Sequence, residues 1–330
     1  MKSLLLPLIA LILLLIASGC SDDAKPPATP PKPRTKVKVP VFNRDSAYQY
    51  IEDQLAFGPR VPNSEGHRNC RDWMVRRLKA FGAQVTEQSF DAKAYTGEIL
   101  KSTNVIASFN PDAEERVLLA AHWDTRHIAD KEEEGSERIN EPIMGADDGA
   151  SGVGVLFEIA RQLQAQPIPM GVDIILFDAE DYGDGANDNP ESWCLGSQYW
   201  SNNPHRKDYQ AQFGVLLDMV GARDARFPKE GTSKYFAPQL LDKVWGLAQR
   251  MGKSKYFVNE AVSPTVDDHL FVNKLARIPM IDIVNLPADR TYGFYHHTHQ
   301  DDLPLIDKGT LAAVGQVVLS VVYNTSNGDF

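Results

Sequence analysis

The chain has 330 residues, of which 43% are hydrophobic and 24% are charged, a composition typical of a globular protein with a large core. Its 44 acidic and 34 basic residues give a formal net charge of −10 at pH 7, which argues against nucleic acid as a partner. We expect one large domain, preceded by a distinct N-terminal segment.

The N-terminal segment has the pattern of an export signal. Lys2 is followed by an apolar run of about 14 residues, too short and too asymmetrically flanked for a transmembrane helix. The run ends in ASGC, which resembles a bacterial lipoprotein signal whose cysteine, here Cys20, carries the lipid. An ordinary cleaved signal peptide with a chance cysteine is the alternative. We predict a signal peptide over residues 1–19 and an exported lipoprotein anchored to a membrane on the periplasmic side.

Residues 20–42 contain many prolines and no apolar periodicity, so they are predicted to form an extended tether. The remaining residues, 43–330, are predicted to form a single domain. Two cysteines of this domain, Cys70 and Cys194, could pair in an exported protein. The sequence leaves that pairing open, because a disulfide depends on geometry that spacing does not give.

The domain opens with two predicted helices, at 45–58 and 64–82, each beginning at a capping residue and ending at glycine. Further helices are predicted at 152–163, 196–203, 238–252 and about 308–323, and strands at 83–90, 103–109, 116–121, 171–177, 213–217 and 278–284. This order predicts an α/β protein, a three-layer αβα sandwich with a central mixed, largely parallel sheet. The charged run at 129–142 is interpreted as a solvated loop without a function.

Acidic residues and histidines follow several of the predicted strands, at the carboxyl ends where ligands bind in a wound α/β sheet. Five separate segments supply them: His122 and Asp124, Asp147 and Asp148, Glu180 and Asp181, Asp218, and His296, His297 and His299. Each segment alone has a structural explanation, because an aspartate after a strand is commonly a cap or turn residue and a lone histidine can belong to the core. On that basis we interpret His299, Asp301 and Asp302 as turn and capping groups and Asp147 as an orienting partner.

The conjunction of these residues points to a metal. Several converging buried carboxylates are costly unless they share a cation or a proton. A set of histidines and carboxylates without cysteine ligands favours zinc in a catalytic site.

Taken in order, the sequences HWDT, GADDGASG, FDAED, LLDMVG and HHTHQDD resemble the zinc-dependent exopeptidase fold, which aminopeptidases share with animal-type glutaminyl cyclases. The resemblance covers about residues 45–325. Three segments, at 57–68, 216–228 and 265–282, are similar to the cyclases in particular. The cyclase resemblance implies one zinc per chain, bound by Asp148, Asp181 and His297, and a hydrogen-bond relay of three catalytic acids, Glu180, Asp218 and Asp267.

The chain departs from the animal cyclases at two positions. Asp282 stands where they have a histidine, and His296 stands where they have a tryptophan before the ligand histidine. We therefore expect a substrate pocket built differently, with Trp193 as an apolar wall, although Trp193 could equally be a core residue. His122 and Asp124 are expected beside the metal ligands.

The resemblance implies a glutaminyl-peptide cyclotransferase, whose partners are peptides and proteins with N-terminal glutamine. Glu180 would take a proton from the attacking α-amine while zinc polarises the side-chain amide. A secreted two-zinc aminopeptidase, with His122 and Asp218 as additional ligands, is one alternative. A surface lipoprotein that uses the fold only for binding is the other.

Overall fold

The computed structural model describes residues 36–187, 189–289 and 291–330. The predicted signal peptide, Cys20 and the tether up to residue 35 lie outside the described residues. Among the helices that are described, none combines the length and apolar character that crossing a membrane requires.

Helices and strands alternate over most of the chain. The helices are α1 (Arg44–Leu55), α2 (Glu65–Ala80), α3 (Ala150–Ala165), α4 (Leu195–Asn202), α5 (Gly231–Phe236), α6 (Pro238–Arg250), α7 (Asp268–Phe271) and α8 (Lys308–Asn327). The strands are β1 (Gln84–Lys93), β2 (Ile99–Phe109), β3 (Arg116–His122), β4 (Gly171–Phe177), β5 (Gly214–Asp218), β6 (Phe227–Lys229), β7 (Phe257–Ala261) and β8 (Met280–Val284). Every predicted helix and strand is found, whereas α5, α7 and the two-stranded sheet of β6 and β7 were not predicted.

The central sheet has six strands in the order β1-β2-β4-β3-β5-β8. The four strands from β4 to β8 run parallel, while β1 and β2 pair antiparallel, which confirms the predicted mixed, largely parallel sheet. In this register His122 pairs with Phe177, and Asp218 pairs with Val284. The carboxyl ends of the parallel strands therefore meet at one edge of the sheet.

Alternate residues of the strands pack on the two faces of the sheet, as the pleat requires. In β3, Val117 and Leu119 belong to the larger apolar cluster, which includes residues of α1, α3 and α8. Leu118 and Ala120 belong to a second cluster with Trp200 of α4. The four parallel strands, β3, β4, β5 and β8, are buried along their whole length, which gives the three-layer sandwich and explains their continuous apolar sequences.

Residues 36–42, which the sequence analysis assigns to the tether, lie against the C-terminal helix α8. The Phe42 side chain is buried, and its backbone N–H donates to Gln316 Oε1 at 2.9 Å. The Val37 N–H donates to Asn327 Oδ1 at 2.9 Å. Farther along the chain, Cys70 and Cys194 are both buried free thiols.

Candidate metal-dependent active site

The predicted site residues meet at the carboxyl edge of the parallel strands. β3 ends at His122 and β5 ends at Asp218, while Glu180 and Asp181 follow β4 after a short turn. Four non-glycine residues of the loops at this edge have a left-handed backbone: Ala179, Cys194, Met219 and His297. Such conformations are costly, persist where the surrounding structure enforces them, and cluster at functional sites.

The three predicted zinc ligands come together at this edge. The Nε2 atom of His297 lies 3.1 Å from Asp181 Oδ1 and 3.8 Å from Asp148 Oδ2. Donor atoms around a tetrahedral zinc are roughly 3.3 Å apart for bonds of about 2.0–2.1 Å. Asp181 is buried, and neither of its carboxylate oxygens has a hydrogen-bond partner among the described residues. A buried carboxylate without hydrogen-bond donors is costly unless a cation or a proton compensates its charge, so these residues fit a zinc ion.

The backbone of the Asp148 loop is shaped by a glycine at the next position. Gly149 has a φ of +101°, and a Cβ atom there would lie 2.6 Å from the carbonyl oxygen of Asp124. The residue after Asp148 must therefore be glycine, because α3 starts directly behind it against the end of β3.

His297 is oriented by an acidic residue, Asp130, that was not among the predicted site residues. The Nδ1 atom of His297 lies 3.0 Å from Asp130 Oδ1, and Asp130 also accepts from Arg126 at 2.7 Å. Because the carboxylate can only accept, Nδ1 donates, and Nε2 keeps a lone pair, as a metal-binding histidine requires. Asp130 belongs to the run at 129–142, which is the mostly exposed loop that the sequence predicts, but Asp130 itself contacts a candidate site residue.

We expect Asp130→Ala to weaken zinc binding by about 10- to 100-fold, the usual effect of losing an outer carboxylate partner of a metal-binding histidine. The matched control is Glu132→Ala, because Glu132 contacts the neighbouring His299 at 2.8 Å. Competition with a chelating dye measures zinc affinity for both variants. Equal zinc affinity in the two variants would show that Asp130 does not strengthen zinc binding.

Asp124 is a fully buried carboxylate that holds the two acids after β4. Its Oδ1 accepts from the backbone N–H of Glu180 at 3.0 Å, and its Oδ2 accepts from that of Asp181 at 3.1 Å. These two hydrogen bonds fix the backbone of Glu180 and Asp181, whose side chains lie in different surroundings.

The carboxylate of Asp301 fixes the backbone of the loop before α3 in the same way. Its Oδ1 accepts from the Asp147 N–H at 2.7 Å, and its Oδ2 accepts from the Asp148 N–H at 3.0 Å. Asp301 is fully buried, so its interpretation as a turn or capping group was incomplete. Asp302, in contrast, is the capping residue that the sequence predicted, because it accepts from the Leu303 N–H at 2.7 Å.

His122 lies between the carboxylates of Asp148 and Asp218. Its Nε2 lies 3.1 Å from Asp148 Oδ1 and 3.2 Å from Asp218 Oδ1. These three residues offer donor atoms within 4.8 Å of one another, as the second metal site of a two-zinc enzyme would require. They are equally well explained by a histidine that hydrogen-bonds to a carboxylate.

Glu180 is the acid best placed to act as a base. Its side chain is 12% exposed and lines the cavity, while the Cys194 thiol donates to its Oε1 at 3.1 Å. Burial raises the pKa of the Glu180 carboxyl well above its ordinary value, and the negative charges of Asp181 and Asp267 raise it further against the attraction of His122. A carboxyl with a raised pKa suits proton transfer near neutral pH.

Asp267 and Asp282 lie behind Glu180. Asp267 offers an oxygen within 4.8 Å of donor atoms of Glu180 and Cys194, and a second buried group joins Asp267 to Asp282 and His269. Burial, followed by repulsion from Asp267, raises the pKa of Asp282 well above its ordinary value. The two carboxyls are therefore expected to share a proton.

An open cavity of about 400 Å³ lies over the candidate ligands. Trp193 lines this cavity. The centre of its ring lies 5.9 Å from the centre of the His297 ring and 4.7 Å from the Cζ atom of the Arg126 guanidinium. His296 also lines the cavity and stacks on His297 at 3.7 Å. The other residues expected near the pocket, His122, Asp124 and Asp282, lie behind the cavity wall.

The comparisons with known proteins agree with this site. Residues 104–322 match peptidase family M28. The chain is 49% identical to a Bacteroides thetaiotaomicron glutaminyl cyclase solved with N-acetylhistamine, with a TM-score of 0.85 over 87% of this chain and 99% of that chain. It is also 49% identical, with a TM-score of 0.84 and the same coverage, to a structure from that organism described as a leucine aminopeptidase precursor. A glutaminyl-peptide cyclotransferase of Drosophila melanogaster is 26% identical over 277 residues, covering 76% of this chain and 73% of the relative. The resemblance drawn from the motifs is confirmed: the chain belongs to peptidase family M28 and, within it, to the glutaminyl cyclases.

Proposed function

We propose that this protein is a zinc-dependent glutaminyl-peptide cyclotransferase, which closes the N-terminal glutamine of peptides and proteins to pyroglutamate and releases ammonia. The observation that carries the proposal is the position of Glu180. Its carboxyl group lines the cavity directly beside the candidate zinc ligand Asp181 and is backed by Asp267. One residue can therefore exchange protons with a substrate while its neighbour binds the metal.

Glu180 and the zinc ion have separate roles in the proposed reaction. Glu180 accepts a proton from the α-amine of the substrate. At the same time the amine nitrogen forms a bond to the carbonyl carbon of the glutamine side chain. The same carboxyl group returns a proton to the amide nitrogen, whose bond to that carbon breaks, and ammonia leaves. Zinc, when bound, polarises the carbonyl and stabilises the negative charge that develops there.

Asp218 and Asp267 support this exchange, because buried acids near Glu180 cannot all be ionised together. Burial raises the pKa of Asp218, and the negative charge of Asp267 raises it further against the hydrogen bond from His122. Trp193 supplies an apolar wall for the glutamine side chain. Since the ring closure is intramolecular, holding the substrate in a bent conformation supplies much of the rate.

One zinc per chain is the stoichiometry that the two candidate sites favour. At the first, both oxygens of Asp181 lack partners among the described residues. At the second, the hydrogen bond from His122 to Asp218 satisfies the acid without a cation. The unsatisfied carboxylate of Asp181 therefore supports a metal at the first site more strongly than at the second.

An aminopeptidase remains the second candidate, because the second site contains His122, Asp148 and Asp218 and because one similar structure is described as a leucine aminopeptidase precursor. In that case two zinc ions would activate water. We favour the cyclase because the cyclase relatives include the Drosophila enzyme as well as the bacterial structure.

Ammonia release separates these functions. A peptide with N-terminal glutamine is expected to release ammonia and to lose its free amine without losing its first residue. The matched control is the same peptide with an acetylated amine, which has no nucleophile and should not react. Release of free glutamine would assign the chain to the aminopeptidases.

We further propose that the protein is a periplasmic lipoprotein anchored through Cys20. The support is the apolar run that ends at this cysteine. A single acyl chain binds membranes only marginally, so stable anchoring needs the several chains of a bacterial lipoprotein. Cys20→Ala should abolish metabolic labelling with a radioactive fatty acid and remove the protein from the membrane fraction. A wild-type protein that takes up no label would refute the anchor.

A further inference from the structure

Arg126 is a buried cation that the proposed reaction does not use. Its side chain is fully buried and does not line the cavity. An arginine stays protonated in a protein, so its charge must be compensated inside the fold. The partner is Asp130: Nε of Arg126 donates to Oδ1 at 3.2 Å, and Nη2 donates to Oδ2 at 2.7 Å. These two parallel bonds fix the plane of the guanidinium.

The third guanidinium nitrogen holds the loop that follows β4. Nη1 of Arg126 donates to the carbonyl oxygen of Asp181 at 3.0 Å and to that of Gly183 at 2.8 Å. A lysine has one nitrogen and three donors, so it cannot make these four bonds. Arg126 therefore connects this loop to Asp130, the carboxylate that orients His297.

The guanidinium also lies over the ring of Trp193. Its Cζ atom is 4.7 Å from the ring centre, within the distance of about 6 Å at which a cation is attracted to an indole face. A Cβ atom at Gly183 would overlap the Cγ, Cδ2 and Cε2 atoms of Trp193, so the indole packs directly on the glycine backbone. Arg126 thus holds Trp193 in two ways, through its own face and through the glycine on which the ring packs.

We propose that Arg126 is a positioning residue for substrate binding: it holds the indole of Trp193 in place as the apolar wall for the glutamine side chain. The inference rests on the proposed function. Through Asp130 the same guanidinium is connected to His297, whose ring lies 5.9 Å from that of Trp193. The wall and the candidate metal ligand therefore keep a fixed separation, and less binding energy is spent on ordering the pocket.

Arg126→Lys keeps the charge but loses the flat, forked donor group. We expect KM to rise by about 3- to 30-fold, the range that loss of a cation–π contact implies. The value of kcat should change less than about threefold, because the lost interaction contributes to binding. Zinc is kept saturating, so that a weaker metal site does not affect KM. The matched control is Arg138→Lys in the neighbouring loop, where Arg138 is exposed and pairs with Glu141 at 2.9 Å, and its KM should be normal.

A second substitution shows whether the effect passes through the indole. Trp193→Ala removes the wall and should itself raise KM. In that background Arg126→Lys should raise KM by no more than about twofold, because the group that it holds is gone. An equal fold-increase in both backgrounds overturns the inference, because it would show that Arg126 acts independently of Trp193.

Gly183→Ala displaces the indole while the guanidinium remains. The new methyl group overlaps the ring, so KM should rise in the otherwise wild-type chain. In the Trp193→Ala background the same change should leave KM within about twofold, because no ring is left to displace.

The position of the indole is measured without turnover by ¹⁹F NMR. The chain has five tryptophans, so labelling with 5-fluorotryptophan gives one resonance for each, and Trp193→Phe identifies that of Trp193. In Arg126→Lys and Gly183→Ala this resonance should shift and broaden while the others stay in place, which a general loss of stability does not produce. An unchanged Trp193 resonance in Arg126→Lys overturns the inference, and so does a displaced resonance with a normal KM in Gly183→Ala.

Variants of Trp193 provide the same test if Arg126→Lys does not fold. Trp193→Phe keeps a ring beside the guanidinium and should raise KM less than Trp193→Leu, whereas equal KM values in the two overturn the inference. If the wild type does not cyclise glutamine peptides, the proposed function fails by itself, and the ¹⁹F spectra still test whether Arg126 holds Trp193.

Discussion

Replacing Asp181 with alanine is expected to remove both the bound zinc and the activity. The variant leaves Asp148 and His297 as the remaining candidate ligands, whereas catalytic zinc sites normally have three protein ligands. Loss of an outer partner alone costs about 10- to 100-fold in affinity, so loss of a ligand should cost more than about 100-fold. Elemental analysis of the purified protein after dialysis measures the zinc content.

The matched control for this variant is Asp184→Asn. Asp184 lines the same cavity three residues later, but its carboxylate accepts from the Ala186 and Asn187 N–H groups of its own loop. Zinc should remain in this control. An Asp181→Ala protein that still holds one zinc per chain would remove Asp181 from the ligand set.

Glu180→Gln is expected to lower kcat by about 10² to 10⁴ while zinc remains bound. Glutamine keeps the size of the side chain but cannot accept the proton of the α-amine. The ligands are unaffected, because the Asp124 carboxylate holds the backbone N–H groups of residues 180 and 181 whatever their side chains are. Steady-state kinetics and zinc analysis on the same preparation measure both quantities.

The comparison of Glu180→Gln with Asp181→Ala tests the division of labour between adjacent acids. We expect a slow enzyme with zinc in the first and a protein without zinc in the second. Equal loss of zinc in both variants would contradict this assignment, and so would a Glu180→Gln enzyme with normal kcat.

The sequence predicts the central sheet well for a physical reason. β4 (Gly171–Phe177) is buried along its whole length, so its sequence is one apolar run with clear ends. β6 and β7 were missed because β6 has only three residues and β7 is largely exposed. Neither carries a periodic signal that distinguishes it from a loop.

The candidate ligands were predictable because Asp181 follows a buried strand and because Asp148 and His297 stand in acidic or histidine-rich motifs, whereas their supporting residues were not. Asp301 and Asp148 are 153 residues apart, and Asp130 and His297 are 167 residues apart. Both supporting acids lie in loops, where a charged residue is most simply explained by contact with solvent. Their roles appear only when tertiary structure brings two loops together.

The most direct test of the central claim is the fate of solvent oxygen. In the proposed reaction the substrate's own amine, and no water molecule, attacks the side-chain amide. Zinc-loaded enzyme is incubated with a glutamine-initiated peptide in ¹⁸O-labelled water, and the products are analysed by mass spectrometry. We predict a pyroglutamyl peptide that has lost ammonia and contains no ¹⁸O. Free glutamine with ¹⁸O in its carboxylate, or a glutamyl peptide with ¹⁸O in its side chain, would show that water is the nucleophile and would contradict the account.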